Sequence, residues 1–303
     1  HCNDNSETIL MNLARQAGVS GLSGIPQKNG RIVRPLIAFN KSLLFDFAKR
    51  VGFPFVNDAT NCDMSIPRNF IRKKVIKPWE SEVPSLIKGI HKSSQYFNEW
   101  KKSLDQLIIK FIISKLKISK DRIDIPLNLV SDLPETGKIR LIQLLFYKEK
   151  KLWSKHDLKM LKQFINKISV GKTFKLTNQW ILLHDRGFII AKQKIIPILK
   201  NRTDITPNKE LFFCNMKYHI FVNENQVRFS NSKNEELVDW SRLKNKKLQI
   251  RMWKQGDIFQ PLGMKNKKKM SDFLIDEKID RISKKTQSVL TVDGEIAWVC
   301  GLR

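Results

Sequence analysis

Short strand-like segments alternate with amphipathic helices along the first 56 residues, and this alternation constrains the fold most strongly. The predicted elements are, in order, a helix capped by Asp4 and ending at Gly18, a strand end at Ile32-Val33, a helix from Ser42 to Val51 and a strand from Phe53 to Val56. Gly52 closes the second helix. Alternating strands and helices of this kind predict an α/β fold.

The pattern changes near Pro84, where a long helical periodicity begins. The later predicted elements are helices within 137–147 and 154–168, with Ser154 and Asp157 as a cap pair, a hairpin turning at Asp185-Arg-Gly187, a strand at 248–253, a short helix at 271–278 and a second hairpin turning at Asp293-Gly294. Strands dominate beyond about residue 205. We therefore expect three regions with breaks near residues 83 and 205.

The net charge restricts the classes of partner. The chain has 303 residues and carries 56 Lys and Arg against 29 Asp and Glu, a formal charge of +27. Such a surplus predicts salt-sensitive attraction to polyanions. No apolar run approaches the roughly 18 residues of a membrane span, so we expect no membrane partner.

The four cysteines, Cys2, Cys62, Cys214 and Cys300, form no CxxC pair and have no histidine cluster beside them. A zinc site or a disulfide framework is therefore not expected. Scattered thiols are typical of a reducing, cytoplasmic location.

The carboxylates of Asp4 and Glu7 form the first candidate site. Residues three positions apart share a face of a helix, so both carboxylates can address one cation. The spacing alone favours a capping box, in which Asp4 caps the helix and Glu7 reaches back from its third position. A cation site for a metal or an ammonium is the alternative.

A second cluster runs from Asp58 to Pro78. If a helix begins at Arg68, then Arg68 and Arg72 lie one turn apart and can fork onto phosphate oxygens, with Lys73 and Lys74 beside them. A solvated basic face is the alternative, and Asp58 or Asp63 would then neutralise the arginines.

The third cluster runs from Arg251 to Phe273. After a turn at Pro261-Leu-Gly263, Lys267, Lys268 and Lys269 form a cationic loop suited to a phosphate backbone. Phe259 and Phe273 are predicted to be core residues and not base-stacking platforms.

Together the three clusters resemble the tRNA(Ile)-lysidine synthase family. The carrying motifs are His1-x-Asn-Asp4-x-x-Glu7-Thr with Gly21-Leu-Ser-Gly24, Asp58-x-x-Asn61-x-Asp63 with Arg68-Asn-x-Ile-Arg72 and Pro78, and Gly256-Asp-x-Phe-x-Pro-Leu-Gly263 with Lys269-x-Ser-Asp-Phe273. The resemblance implies the C-terminal part of a Rossmann-like PP-loop ATPase domain at 1–83, a helical middle domain ending in a β-hairpin at 84–205, and an α+β tRNA-binding domain at 206–303.

The family adenylates the wobble cytidine of tRNA(Ile) with ATP and attaches free lysine, releasing AMP and pyrophosphate. The resemblance therefore implies ATP and Mg²⁺ as cofactors and tRNA(Ile) and lysine as partners. It assigns Asp4 and Glu7 to lysine binding and His1 and Arg72 to the substrate face. Arg15 is a candidate ATP contact. Candidate tRNA contacts are Arg68, Lys73, Lys74, Arg251, Lys267, Lys268 and Lys269, and no metal ligand is assigned.

The charge of lysine fits this assignment. Opposite unit charges 4 Å apart are worth about 4 kcal/mol at an intermediate dielectric. A neighbouring carboxylate also raises the pKa of an ammonium, so a proton acceptor is needed if the pair holds the attacking amine. The pair could instead hold the α-amino group.

Three departures from the family pattern matter. The family's Ser-Gly-Gly-x-Asp-Ser phosphate loop is absent from the 303 residues. We expect it upstream of residue 1, and expect the chain to be inactive alone. Asn3 replaces an Asp that many members carry, and Gln16 replaces a Gly.

Two other functions compete with a lysidine-forming ligase. A catalytically silent RNA-binding protein could be built from the same domains. A tRNA-thiolation enzyme of the PP-loop type is disfavoured, because sulfur transfer needs the thiol pairs that the sequence lacks.

Overall fold

The protein is described by a computed structural model that covers residues 1–56, 60, 63–167, 169–194, 202–214, 216–222 and 232–302. The chain divides into two compact units, His1–Ser114 and Lys115–Arg303. Helices and strands mix along the chain, which confirms the predicted α/β fold class, and every strand pair among the described residues is antiparallel.

The first unit is mainly helical. Its elements are α1 (Cys2–Ala14), α2 (Val19–Leu22), β1 (Lys28–Asn29), β2 (Ile32–Val33), a 3₁₀ turn (Pro35–Ala38), α3 (Lys41–Arg50), α4 (Pro67–Phe70), a π-helical segment (Ile71–Ile76), α5 (Lys77–Glu82) and α6 (Leu86–Phe111). Cys2, Ile76, Leu86 and Ile87 form a buried cluster where α1, the π-helical segment and α6 meet.

The start of α1 differs from the prediction. His1, and not Asp4, is the N-cap, because His1 Nδ1 accepts a hydrogen bond from the Asp4 amide at 3.3 Å. Asp4 occupies the third helical position, where its side chain completes the capping box with the His1 main-chain nitrogen. Glu7 therefore lies inside the helix and is not part of the cap. The helix also ends earlier than expected, at Ala14 instead of near Gly18.

The segment Phe53–Val56 is not a strand, contrary to the prediction. All four residues are exposed and have no strand partner among the described residues. Pro54 lacks the amide hydrogen that a sheet ladder needs. The preceding helix was predicted well, since α3 ends at Arg50 and Gly52 follows with φ of +65°.

The loop after α2 is held against α1 by a buried asparagine. Asn5 Oδ1 accepts from the Ile25 amide at 2.6 Å, and Asn5 Nδ2 donates to Ser94 Oγ on α6 at 3.3 Å. Gly24 has φ of +71°, and a Cβ there would lie 2.1 Å from Asn5 Oδ1. Only glycine combines this positive φ with the lack of a Cβ, so this close approach fixes the loop to α1.

The described part of the second unit contains two larger sheets and two two-stranded ones, and a 3₁₀ turn (Ile113–Lys115) spans the boundary between the units. Its elements are β3 (Lys117–Ile118), β4 (Arg122–Pro126), α7 (Leu127–Val130), α8 (Glu135–Leu145), a 3₁₀ turn (Tyr147–Glu149), α9 (Lys155–Asn166), β5 (Thr173–Lys175), β6 (Trp180–Asp185), β7 (Phe188–Gln193), β8 (Arg202–Asp204), β9 (Glu210–Phe213), β10 (Met216–His219), α10 (Trp240–Leu243), β11 (Leu248–Met252), β12 (Ile258–Phe259), β13 (Lys268–Lys269), α11 (Met270–Asp276), α12 (Arg281–Lys284), β14 (Ser288–Val292) and β15 (Glu295–Val299).

The strand orders are β3-β4-β7-β6-β5 in one sheet and β15-β14-β11-β8 in the other, while β9 pairs with β10 and β12 with β13. Both predicted hairpins are confirmed, with Asp185 opposite Phe188 and Val292 opposite Glu295. The Ser154–Asp157 cap pair is also confirmed as a capping box at the start of α9.

A buried ionic contact joins the five-stranded sheet of this unit to α12. Arg122 of β4 donates to Asp280 Oδ2 at 2.6 Å, and Lys192 of β7 donates to Ser283 Oγ at 2.6 Å. Asp280 also caps α12. Burial disfavours its charged form, but hydrogen bonds from Ser283 and Arg122 outweigh burial and hold the pKa of Asp280 below its usual value. A buried charge of this kind must stay paired, so the contact fixes one arrangement.

The predicted division into three regions, with breaks near residues 83 and 205, remains a prediction. In the structure α6, which begins after the first of these breaks, packs against α1 within the first unit. Cys2, Cys214 and Cys300 are free and buried, while Cys62 lies outside the described residues. No helix in the described parts of the chain is long and apolar enough to cross a membrane.

The Gly24 contact yields a stability prediction. We expect Gly24→Ala to lower the free energy of unfolding by about 3 kcal/mol, because strain at positive φ adds to the clash with Asn5. Gly30→Ala is the matched control, since Gly30 also has positive φ but has open space around it. It should cost about 1 kcal/mol. Urea unfolding measures both, and equal losses would contradict the proposed role of Asn5.

Candidate functional site

The structure brings the first two sequence clusters together into one charged site. Arg68 and Arg72 reach across 61 to 65 positions of sequence to contact the carboxylates of Asp4 and Glu7. The carboxylate pair of α1 is therefore matched by a guanidinium pair. Asp63 accepts hydrogen bonds from Ser65 and not from either arginine. The predicted alternative in which Asp58 neutralises the arginines falls on a residue outside the described ones.

Glu7 is the centre of the site. Its side chain is 1% exposed, and each carboxylate oxygen accepts from a different guanidinium: Oε2 from Arg68 Nε and Oε1 from Arg72 Nε, both at 2.6 Å. Arg72 Nη2 adds a third hydrogen bond to Oε2 at 3.1 Å. The hydrogen bond to Glu7 also raises the pKa of Arg72 above its usual value. A carboxylate this deeply buried needs such charge-assisted partners.

Asp4 lies at the rim of the same site. Its side chain is 31% exposed, and Oδ1 accepts from Arg68 Nη2 at 2.9 Å. Oδ2 lies 3.2 Å from His1 Nε2. Because His1 Nδ1 accepts from the Asp4 amide, the neutral imidazole carries its proton on Nε2, which then donates to Oδ2. Of the two carboxylates, only that of Asp4 offers appreciable surface to a ligand.

The backbone after the second cluster explains how both arginines reach one carboxylate. A helix does begin at Pro67, as the prediction required, but it changes to π-helix at Ile71. Arg68 lies in the α-helical turn and Arg72 in the π-helical turn. Asn69, which is buried, donates to the carbonyls of Thr60 and Asp63 and anchors the start of the helix. Widened turns of this kind are frequent at functional sites.

Two functional neighbours were missed by sequence reasoning. Asn5 and Asn12 lie seven residues apart on one face of α1 and hold the glycine loop, Asn12 by donating to the Gly21 carbonyl at 3.0 Å. The sequence did offer a signal for this contact: two asparagines at i, i+7 spacing, which places them on one face of the helix, and a glycine-rich loop that follows the helix.

The remaining candidates of the first unit are at the surface. Arg15 follows α1 as its C-cap and is exposed, and the next residue, Gln16, has φ of +60°, a conformation that glycine adopts without strain. Asn3 Oδ1 accepts from the Lys41 amide at 3.0 Å. Among the described residues no three His, Cys, Asp or Glu side chains cluster as metal ligands. Asn61 lies outside these residues.

The third cluster separates into paired and unpaired cations. Arg251 donates to both oxygens of Asp257 at 2.8 and 3.0 Å and is largely buried. Burial opposes the charged form of Asp257, but hydrogen bonds from Arg251 and the Lys254 amide hold its pKa below the usual value. The guanidinium of Arg251 is thus used within the fold.

The lysines of the loop differ from one another. Lys268 pairs with Asp276, and Lys267 lies 3.8 Å from Glu295 with both side chains exposed, a geometry that contributes little. In the described part of the chain no carboxylate pairs with Lys269, Lys73 or Lys74. Phe259 and Phe273 are buried core residues in edge-to-face contact, as predicted.

Two known protein families match separate parts of the chain, and each match contains one of the two charged regions described above. Residues 1–79 match the PP-loop domain, and residues 248–303 match the TilS substrate C-terminal domain. The first match contains the carboxylate–guanidinium site, and the second contains the cationic loop. The chain is therefore a protein of the PP-loop ATPase class with an added substrate domain.

The relatives specify the family. A protein of Parabacteroides distasonis, named tRNA(Ile)-lysidine synthase, is 30% identical over all of this chain and 67% of its own length. A protein of the same name from Bacteroides thetaiotaomicron is 28% identical over all of this chain and 66% of its own length. One from Thermosipho africanus is 46% identical over 24% of the chain. The chain belongs to the tRNA(Ile)-lysidine synthase family, and it spans about two thirds of the length of these first two relatives.

Proposed function

We propose that this chain supplies the lysine site and much of the tRNA-binding surface of an ATP-dependent ligase that modifies the wobble cytidine of tRNA(Ile). In this reaction ATP adenylates the C2 oxygen of the cytosine, with release of pyrophosphate. A lysine amine then forms a bond to C2 and loses a proton, and AMP leaves with the electron pair of the broken C–O bond.

One observation carries the proposal. The two acids that the family resemblance assigns to lysine, and the two arginines that it places near substrate, lie far apart in sequence yet occupy one site. A site with exposed carboxylate and guanidinium edges suits a reaction that joins a cation to a polyanion. Membership in the family, established over the whole chain, supports the same reaction.

We assign different roles to the two acids. Asp4 is accessible and can bind a lysine ammonium, whereas Glu7 is enclosed by guanidiniums and positions them. An ammonium held by Asp4 is stabilised in its charged form. If Asp4 holds the α-amino group, the side-chain amine remains free to lose its proton at the reacting carbon.

ATP and Mg²⁺ would be bound mainly by residues outside this chain. The Ser-Gly-Gly-x-Asp-Ser loop of the family is not among the 303 residues, and we propose that the chain is inactive without it. Arg15 remains the candidate ATP contact here. The described residues hold no cluster of metal ligands, and Asp4 and Glu7 already face guanidiniums, so we assign no Mg²⁺ ligand.

The proposed tRNA-binding surface uses lysines that are not held in strong ion pairs. Among the described residues no carboxylate pairs with Lys73, Lys74 or Lys269, and Lys267 has only the exposed contact with Glu295. Lysines contact phosphates without reading sequence, so these residues would position the tRNA. Arg251 is better explained as part of the fold.

The role of Asp4 can be tested by lysine binding. We expect Asp4→Asn, which keeps the size of the side chain, to weaken lysine binding at least tenfold in the presence of a wobble-cytidine tRNA. The loss follows from removing the ammonium's counter-charge, and tenfold equals about 1.4 kcal/mol. Equilibrium dialysis with labelled lysine provides the measurement, and tRNA binding should change little.

Asp46→Asn is the matched control, because it removes one exposed acid from α3 of the same unit. Unchanged lysine binding by Asp4→Asn would remove Asp4 from the site. No lysine binding by the parent chain, with tRNA binding intact, would favour the silent RNA-binding protein. That alternative gains support from the occupation of both carboxylates by arginines.

The cationic loop can be tested through salt dependence. Lys267→Gln with Lys269→Gln should reduce the slope of log affinity for tRNA against log salt by about two, since each lost phosphate contact removes close to one unit. The control replaces Lys217 and Lys246, which pair with Glu210 and Asp293 in the same unit. A slope equal to that of the control would exclude the loop from the interface.

A further inference from the structure

Both oxygens of the Asp4 carboxylate already face donors of the protein itself, and one of these donors is the guanidinium of Arg68. Asp4 Oδ1 accepts from Arg68 at 2.9 Å, and Oδ2 faces His1 at 3.2 Å. A lysine ammonium bound to Asp4 would stand beside the guanidinium of Arg68. Like charges about 4 Å apart repel by roughly 4 kcal/mol at an intermediate dielectric. Lysine and Arg68 therefore compete for the same carboxylate.

The two arginines are not held equally. Arg72 is 23% exposed and forks onto both oxygens of Glu7, whereas Arg68 is 40% exposed and divides its hydrogen bonds between Glu7 and Asp4. If Arg68 turns outward, Arg72 still neutralises the buried Glu7. The departure of Arg68 thus frees Asp4 without leaving a buried charge uncompensated, which would be costly.

A phosphate group is the chemistry that would draw Arg68 away. Guanidiniums bind phosphate oxygens through paired hydrogen bonds. Lys73 and Lys74 lie on the π-helical segment that follows and have no carboxylate partners among the described residues. The strongly basic chain attracts such polyanions. The exposed flank of Arg68 is the part of the site that such a polyanion would meet.

We propose that Arg68 gates the lysine site: a phosphate of the RNA substrate draws its guanidinium from Asp4, and lysine then binds in its place. This gate rests on the proposed function. Lysine binding would follow RNA binding, so free lysine would not occupy the site before the cytidine is present. Because linkage is reciprocal, lysine would tighten RNA binding by the same factor.

The gate and a purely positioning role predict opposite effects of Arg68→Gln. If Arg68 is a gate, the variant binds lysine more tightly than the parent in the absence of RNA. If Arg68 only holds the two carboxylates in place, the variant binds lysine more weakly with and without RNA.

The experiment measures lysine affinity by equilibrium dialysis, without RNA, with an anticodon stem-loop carrying the wobble cytidine, and with pyrophosphate at equal ionic strength. For the parent chain we expect at least fivefold tighter lysine binding with RNA. For Arg68→Gln this ratio should fall towards one because affinity without RNA rises. The control Lys77→Gln removes an exposed cation at the start of α5 and should keep the parent ratio.

Each outcome decides between the two proposals. A response to RNA alone assigns the phosphate to the RNA backbone, and a response to pyrophosphate as well extends the gate to any phosphate group. Equal lysine affinity with and without both anions overturns the gate but leaves the lysine site standing. An absence of lysine binding under every condition overturns the lysine site and the gate together.

Discussion

The site depends on one interaction, the pairing of the buried Glu7 carboxylate with two guanidiniums. Burying a carboxylate is costly unless opposite charges and hydrogen bonds compensate it, and here Arg68 and Arg72 supply two guanidiniums and three hydrogen bonds. This requirement joins helix α1 to a segment more than 60 residues later. The π-helical widening at Ile71–Ile76 and the anchoring of Asn69 are the local means by which both arginines reach one point.

The same pairing organises the surroundings of Asp4. Arg68 contacts both acids, so the geometry of the exposed carboxylate follows from that of the buried one. His1 fixes the other oxygen of Asp4 while capping the helix. The two acids look equivalent in sequence, and we propose that Glu7 has the structural role and Asp4 the ligand-binding role. In the second unit Arg251 is paired with Asp257, whereas Lys269 has no carboxylate partner in the part of the chain that the structure describes.

Local features of the fold were predictable from sequence because they depend on neighbouring residues. The turns at Arg186-Gly187 and Asp293-Gly294 have the positive φ values that their residues favour, and Ser154 and Asp157 form the expected cap. The strand at Phe53–Val56 was wrong because a strand needs a partner, which apolar residues alone do not specify. The cap of α1 was assigned to the wrong residue. Asp4 is a residue type that often caps helices, but in the structure the His1 side chain accepts the capping hydrogen bond from the Asp4 amide.

The chemistry of the site was predictable only in part. Sequence located the acids and the arginines as separate clusters. The i, i+4 spacing of Arg68 and Arg72 predicted that both could fork onto phosphate oxygens, whereas in the structure both donate to the Glu7 carboxylate. Sequence did not identify that target, because no local rule connects residues 61 to 65 positions apart. Burial was equally hidden: nothing in the spacing of Asp4 and Glu7 shows that one is enclosed and the other accessible.

A double-mutant cycle between Glu7 and Arg72 tests the central claim most directly. Urea unfolding of Glu7→Gln, Arg72→Gln and the double variant gives their coupling free energy. A buried, forked pair that organises the site predicts a coupling of about 2 to 3 kcal/mol. A coupling below about 0.5 kcal/mol, the size found for solvent-exposed ion pairs, would contradict it.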